Sequence, residues 1–212
     1  MPFLGTLVNA GAVLVGSVVG SLVGEIFPQD LKDHLHRILG VLTVGIAVKM
    51  VMEGDIVKGG FTLIAGYLIG YFLRLDGRLR RLIPSGGIIA AVVIFCTGPM
   101  TVLGSIKDAF GQPDILLIKS LLDGTVSVIF GATFGISMAL SAVFLLLIQG
   151  GIEVITLSIG GSSPDPAVLS VLNGTGGLIL FLISLNLLGL TDFPTADTLP
   201  ALLLVPLWSF FF

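Results

Sequence analysis

From Leu4 to Phe27 the chain carries one charged side chain, Glu25, and apolar runs of comparable length recur towards its end. A helix rising 1.5 Å per residue needs about twenty such residues to cross a hydrocarbon layer roughly 30 Å thick. In that medium backbone N–H and C=O groups must be satisfied internally, which leaves helices or closed barrels. Barrel strands alternate apolar and polar residues over about ten positions, whereas these runs are continuously apolar, so helices are predicted. Charged residues make up 11% of the chain, against about 25% in a soluble domain, too few to cover a water-facing surface.

The fold class that follows is all-α: a polytopic integral membrane protein of about seven or eight transmembrane helices, some broken at membrane depth. A chain of 212 residues leaves no room for a separate soluble domain. Residues 1–212 therefore read as a single transmembrane domain, with N-terminal helices over 4–75, a basic loop over 76–84 and C-terminal helices over 86–212. One cysteine, Cys96, excludes an internal disulfide. The opening Met-Pro-Phe-Leu-Gly has no basic leader, so the first segment is expected to be a retained span.

Segment one carries Gly16, Gly20 and Gly24 at four-residue spacing with Ser17 and Ser21 beside them, a flat face of the kind on which helices touch in lipid. Asn9 near its start is expected to cap the helix or bond across to a neighbour. Pro28–Arg37 reads as an interfacial helix leading into a second span over about 38–52, with Lys49 reaching the interface. His34 and His36, two apart, fall on different helix faces and make a poor metal pair. A third span, about 60–75, repeats the small-residue face at Gly66 and Gly70. Such faces make a homodimer one expectation, although a single chain could use them all.

Arg74–Arg81 is the one basic cluster, and the positive-inside rule assigns it to the cytoplasm. Counting spans back from it places the Lys32/Arg37 loop on the same side and the N-terminus outside. The basic residues are otherwise scattered, which gives nucleic-acid binding no support. The partners expected are the lipid bilayer and a small ion or polar solute.

The chemistry concentrates in two places. Phe95-Cys-Thr-Gly-Pro-Met-Thr-Val-Leu-Gly-Ser105 is apolar at both ends, yet Gly98-Pro99 and two threonines interrupt it, and proline removes a backbone donor and breaks or kinks a helix. Broken helices free backbone carbonyls, so Thr97, Gly98, Pro99, Thr101 and Ser105 could supply hydroxyl and carbonyl ligands. The following span, over 115–136, places Lys119 and Asp123 four apart on one helix face. Asn173-Gly-Thr-Gly-Gly177 reads as a second break in a span over 167–190, with Asn173 and Thr175 as further ligands. Gln149 and Glu153 repeat the four-residue spacing near one end of the span over 137–159. Lys107–Asp114 reads as an exterior turn, and the last segment, 199–212, ends in Trp208 and three phenylalanines as an interfacial anchor.

The Lys119–Asp123 pair has two readings. In one the charges only neutralise each other and satisfy freed carbonyls. In the other Asp123 binds a cation or proton, and Lys119 is its resident counter-charge. A charge at the bilayer centre costs about 2.5–3.5 kcal/mol on insertion scales, which weighs against an ornamental pair. No nucleophile–base arrangement, phosphate loop or metal-ligand cluster occurs, so neither an enzyme nor a cofactor is expected.

Phe95–Ser105, Leu117-Ile-Lys-Ser-Leu-Leu-Asp-Gly124 and the opening Gly5-Thr-Leu-Val-Asn-Ala-Gly11 resemble the bacterial membrane family known as domain of unknown function 554, and the resemblance covers essentially the whole chain. It implies a multi-spanning protein of the bacterial inner membrane, described as a transporter without an agreed substrate. The expected function is therefore a membrane transporter or channel for an ion or small polar solute. Its pathway would lie between the broken helix 86–105, the charged helix 115–136 and the broken helix 167–190. The alternative is a non-transporting scaffold in which Lys119 and Asp123 are structural.

Overall fold

The computed structural model describes residues 1–82, 86–96, 99–158 and 165–205, and within them the chain is helical, with no strand. The order is α1 (Leu4–Ile26), α2 (Gln29–Glu53), α3 (Ile56–Leu73), α4 (Leu75–Leu82), α5 (Gly86–Cys96), α6 (Pro99–Ala109), α7 (Asp114–Phe134), α8 (Leu140–Ser158), α9 (Pro166–Leu187) and α10 (Pro200–Leu204). Short 3-10 turns, Ile136–Ala139 and Thr195–Thr198, precede α8 and α10. Among the described residues, six helices are long and apolar enough to cross a membrane: α1, α2, α3, α7, α8 with its leading turn, and α9. Taken together as one interrupted span, α5 and α6 would make seven. This is an all-α polytopic membrane protein.

Three boundaries differ from expectation. Residues 29–53 form one helix, so the polar stretch before the second span continues it without a joint. The Arg74–Arg81 cluster is mostly helical, as α4, after Arg74 closes α3 in the left-handed region at φ 52°. The expected break at Asn173–Gly177 does not occur, because α9 runs through it unbroken. Its glycines act by contact: Gly174 packs against the Asp55 carbonyl, and Gly177 lies against Ala47 and Val51. A mid-helix glycine costs only about 1 kcal/mol relative to alanine, which close packing offsets, and no proline is present to clash with the preceding turn. By contrast α5 ends at Cys96 and α6 begins at Pro99, a residue suited to the first helical position. Trp208 and its neighbouring phenylalanines lie outside the described residues.

Contacts group the chain into two compact units that interleave in sequence: Met1–Leu35 with Pro99–Ser163, and His36–Gly98 with Pro164–Phe212. In the first unit, α1 and α7 run parallel along most of their length. Gly16 meets the Gly124 carbonyl and Ser127, Gly20 the Val128 carbonyl, and Gly24 the Ala132 carbonyl, while Gly131 meets the Ser17 carbonyl. These approaches leave no space for a methyl group, which is what the small-residue face provides. The helices α6 and α7 form an antiparallel hairpin, with Gly104 facing Ile115 and Leu116 and Gly111 taking φ +77° in the turn. Gly135, at φ +78°, closes α7 and redirects the chain into α8.

In the second unit, Asp55 caps α3 by accepting from the Lys58 N–H at 2.9 Å, and its own N–H donates to the Ser170 carbonyl at 2.9 Å. Gly66 and Gly70 pack on Ala201 and Asp197, so the expected face on the third span is used within this unit. The Asp197 carboxylate accepts from the Asp76 N–H at 2.8 Å, tying α4 to the turn before α10.

Candidate functional site

The first unit contains a polar core built by α1, α6, α7 and α8. Lys119 and Asp123 lie one helical turn apart on the buried side of α7. Lys119 Nζ donates to Asp123 Oδ2 at 2.5 Å, and Asn9 Nδ2 donates to the same oxygen at 3.0 Å. Lys119 and Asp123 are each 6% exposed and Asn9 is fully buried. The ion pair is therefore internal to α7, and the bond linking helices is the one from Asn9. Of the two expectations for Asn9, bonding across to a neighbour is the one realised.

Nearer the start of α1 lies a second polar tier, which sequence reasoning did not assemble. The Thr6 N–H donates to Asp108 Oδ2 at 2.9 Å, while the Thr6 hydroxyl donates to Glu153 Oε1. The Phe3 N–H donates to Glu153 Oε2 at 2.9 Å. Phe3 takes φ +64°, the left-handed region an aromatic residue seldom adopts, and this conformation immediately precedes α1. Asp108 and Glu153 are both fully buried. The sequence predicts an exterior turn over Lys107–Asp114 that includes Asp108. Instead α6 continues through Ala109 and turns that side chain inward, and the connection shrinks to residues 110–113. The available signal was Glu153 with Gln149 at helical spacing in an apolar run, together with Asp108 three residues after Ser105.

The two tiers are neighbours. Thr6 and Asn9 lie three positions apart on α1, a rise of about 4.5 Å. Because α6 is antiparallel to α7, and α7 parallel to α1, moving from Asp108 back to Ser105 descends in the same direction. In α8 the step from Glu153 to Gln149 does likewise, since α7 ends beside Gly24 at the far end of α1 and the chain turns there into α8. Ser105 and Gln149, both fully buried, thus stand near the depth of Asn9.

The other expected ligands divide. Thr101 and Ser105 are buried on α6 in the same unit as Lys119 and Asp123. Pro99 opens α6, and Thr97 and Gly98 lie outside the described residues. Asn173 and Thr175 belong to the second unit, where Thr175 donates to the Gly59 carbonyl at 3.5 Å and the backbone around Gly174 packs on residues 54–59. Lys49 stays exposed beside Glu53, 4.0 Å away. Among the described residues no group of three or more His, Cys, Asp or Glu side chains could hold a metal ion.

A family model described as "Protein of unknown function (DUF554)" matches residues 4–210. The chain is 27% identical over 225 residues to the "Uncharacterized protein YqgA" of Escherichia coli (strain K12), covering 95% of this chain and 94% of that protein. It is 26% identical over 220 residues to the "Uncharacterized membrane protein YdfK" of Bacillus subtilis (strain 168), covering 97% of this chain and 95% of that one. No solved structure matches the chain.

Proposed function

The chain belongs to the DUF554 family of proteins of unknown function, and from that premise we propose that it is a transporter or channel moving an ion or small polar solute across the bacterial inner membrane. The observation that carries this reading is the buried Lys119–Asp123 pair joined by Asn9 from a second helix. Charged side chains buried in spanning helices are rare and commonly mark ion or solute pathways. Asp123 is the coupling-ion or proton ligand, and Lys119 is the resident cation that holds the position between cycles. Thr101 and Ser105 are buried in the same unit and bring hydroxyls to it. The scaffold alternative has one observation in its favour, since Asp123 also accepts from Asn9 of α1 and so ties α1 to α7.

The test is reconstitution into liposomes, with charge movement recorded on jumps of proton, sodium, potassium, chloride and neutral amino acids. At least one jump should give a current that Asp123→Asn, still folded by gel filtration and circular dichroism, reduces at least about tenfold, equivalent to ~1.4 kcal/mol of lost function. A folded Asp123→Asn protein with the parental current would remove Asp123 from the pathway. Silence of the unmodified protein throughout the panel would favour the scaffold.

A further inference from the structure

The Asp108–Glu153 tier differs from the Lys119–Asp123 tier in one electrostatic respect. Asp123 has a lysine 2.5 Å away, whereas no Lys, Arg or His among the described residues comes within ion-pair distance of Asp108 or Glu153. Their neighbours are donors of modest strength: two backbone N–H groups and one hydroxyl. Thr6 contacts both carboxyl groups, so they are close together, and two uncompensated carboxylates out of water repel each other at high energy. A positive charge between them removes that cost.

A second observation, independent of the acids, points to a ligand at the same place. Asp108 Oδ1, Ser105 Oγ, Asn9 Oδ1 and both polar atoms of Gln149 are buried without a hydrogen-bond partner. Gln149 shares the Glu153 face of α8, Ser105 the Asp108 face of α6, and Asn9 the Thr6 face of α1. Leaving a buried polar group unpaired costs about 1–3 kcal/mol, and native proteins contain few of them. Here they gather on three mutually packed helices immediately beneath the acid pair. Four of these five atoms can act as oxygen ligands, the donor type that hard cations take.

We propose that Asp108 and Glu153, with the hydroxyls of Thr6 and Ser105 and the amide oxygens of Gln149 and Asn9, form a binding site for a small monovalent cation, either an alkali ion or a proton shared by the two carboxyls. The site adjoins the Lys119–Asp123 pair, with Asn9 common to both, and binding there does not depend on whether the protein transports. The charged groups around it are few. The amino terminus lies beside Gly111, α6 contributes Asp108 with Lys107 exposed, α7 contributes Lys119 and Asp123 near the lower tier and exposed Asp114 at its start, and α8 contributes Glu153. None of the basic groups occupies the space between the two acids.

The experiment is thermal unfolding of the purified full chain in detergent. It compares sodium, potassium and choline chloride at one ionic strength, each at mildly acidic and mildly alkaline pH. Alkali binding raises the melting temperature on the order of 5 °C in saturating sodium or potassium over choline at alkaline pH. The rise should disappear in Glu153→Gln and Asp108→Asn and persist in Thr125→Ala, at an exposed position of α7. Proton binding instead gives stabilisation by acid irrespective of the salt, with a carboxylic-acid infrared band in the unmodified protein that Glu153→Gln removes. Glu153→Gln keeps one acceptor oxygen, for the Phe3 N–H, and its amide NH2 can donate to the Thr6 hydroxyl. Should a variant fail to fold, the salt and infrared responses of the unmodified protein still decide. An unmodified protein indifferent to both alkali ions and pH, with no carboxylic-acid band, overturns the site.

Discussion

At the scale of single residues, the energetics of Lys119 and Asp123 are asymmetric. Removing one partner of a buried pair leaves the other charge stranded, typically destabilising by about 3–5 kcal/mol, while replacing both with apolar groups of similar size is often neutral. Lys119→Met should therefore lower stability by roughly that amount, since only the Asn9 amide would remain on the Asp123 carboxylate. Combining Lys119→Met with Asp123→Leu should recover most of the loss in a chemical-denaturation or thermal assay. The doubly substituted protein then separates the two functional readings: a transporter with this pair in its pathway folds but carries no current, whereas a scaffold keeps its cellular activity. A double variant as unstable as Lys119→Met would mean that the pair supports the fold in a way apolar packing cannot replace.

At the scale of elements, packing between helices rests on glycine. Gly20 faces the Val128 carbonyl so closely that a side chain there must push α1 and α7 apart, and the obstacle is backbone, which cannot rotate away. Gly20→Val should destabilise by at least about 1–3 kcal/mol, the usual range for overpacking. Gly45→Ala, at a position with open space around it, should be neutral or slightly stabilising. Equal effects at the two positions would mean that the α1–α7 interface is not as tight as its geometry. The glycine face of α1 was legible in the sequence because four-residue spacing directly encodes one side of a helix. The Lys119–Asp123 pair was legible for the same reason. The glycines of α9 misled because glycine serves both as a breaker and as a close-contact residue, and only the neighbours Ala47, Val51 and Asp55 distinguish the two. The acid tier was not legible as a site, since Thr6, Asp108 and Glu153 are joined by contacts across more than a hundred residues of sequence. No local spacing reports such a meeting.

At the scale of the whole molecule, orientation decides which side of the membrane the acid tier faces. Arg74, Arg78, Arg80 and Arg81 fall within eight residues at the end of α3, the strongest basic bias in the chain. From the positive-inside rule we propose that this end of α3 faces the cytoplasm. On that proposal, and with α1, α2 and α3 each counted as one crossing, the N-terminal end of α1 is expected on the opposite side. Thr6, Asp108 and Glu153 meet at that end, and the turn joining α6 to α7 lies there too, with Met1 beside Gly111. A cation arriving from outside would thus encounter Asp108 and Glu153 first, and then, about one helical turn deeper, Asp123 with its resident lysine. Replacing Cys96 by alanine and introducing one cysteine at a time checks this order. Gln112→Cys, in the exposed α6–α7 turn, should react with a membrane-impermeant maleimide in intact cells, and Arg78→Cys, exposed on α4, should react only in inverted vesicles. The reverse pattern would place the acid tier at the cytoplasmic face. The two-tier arrangement would then serve release or export of the cation rather than its capture from outside.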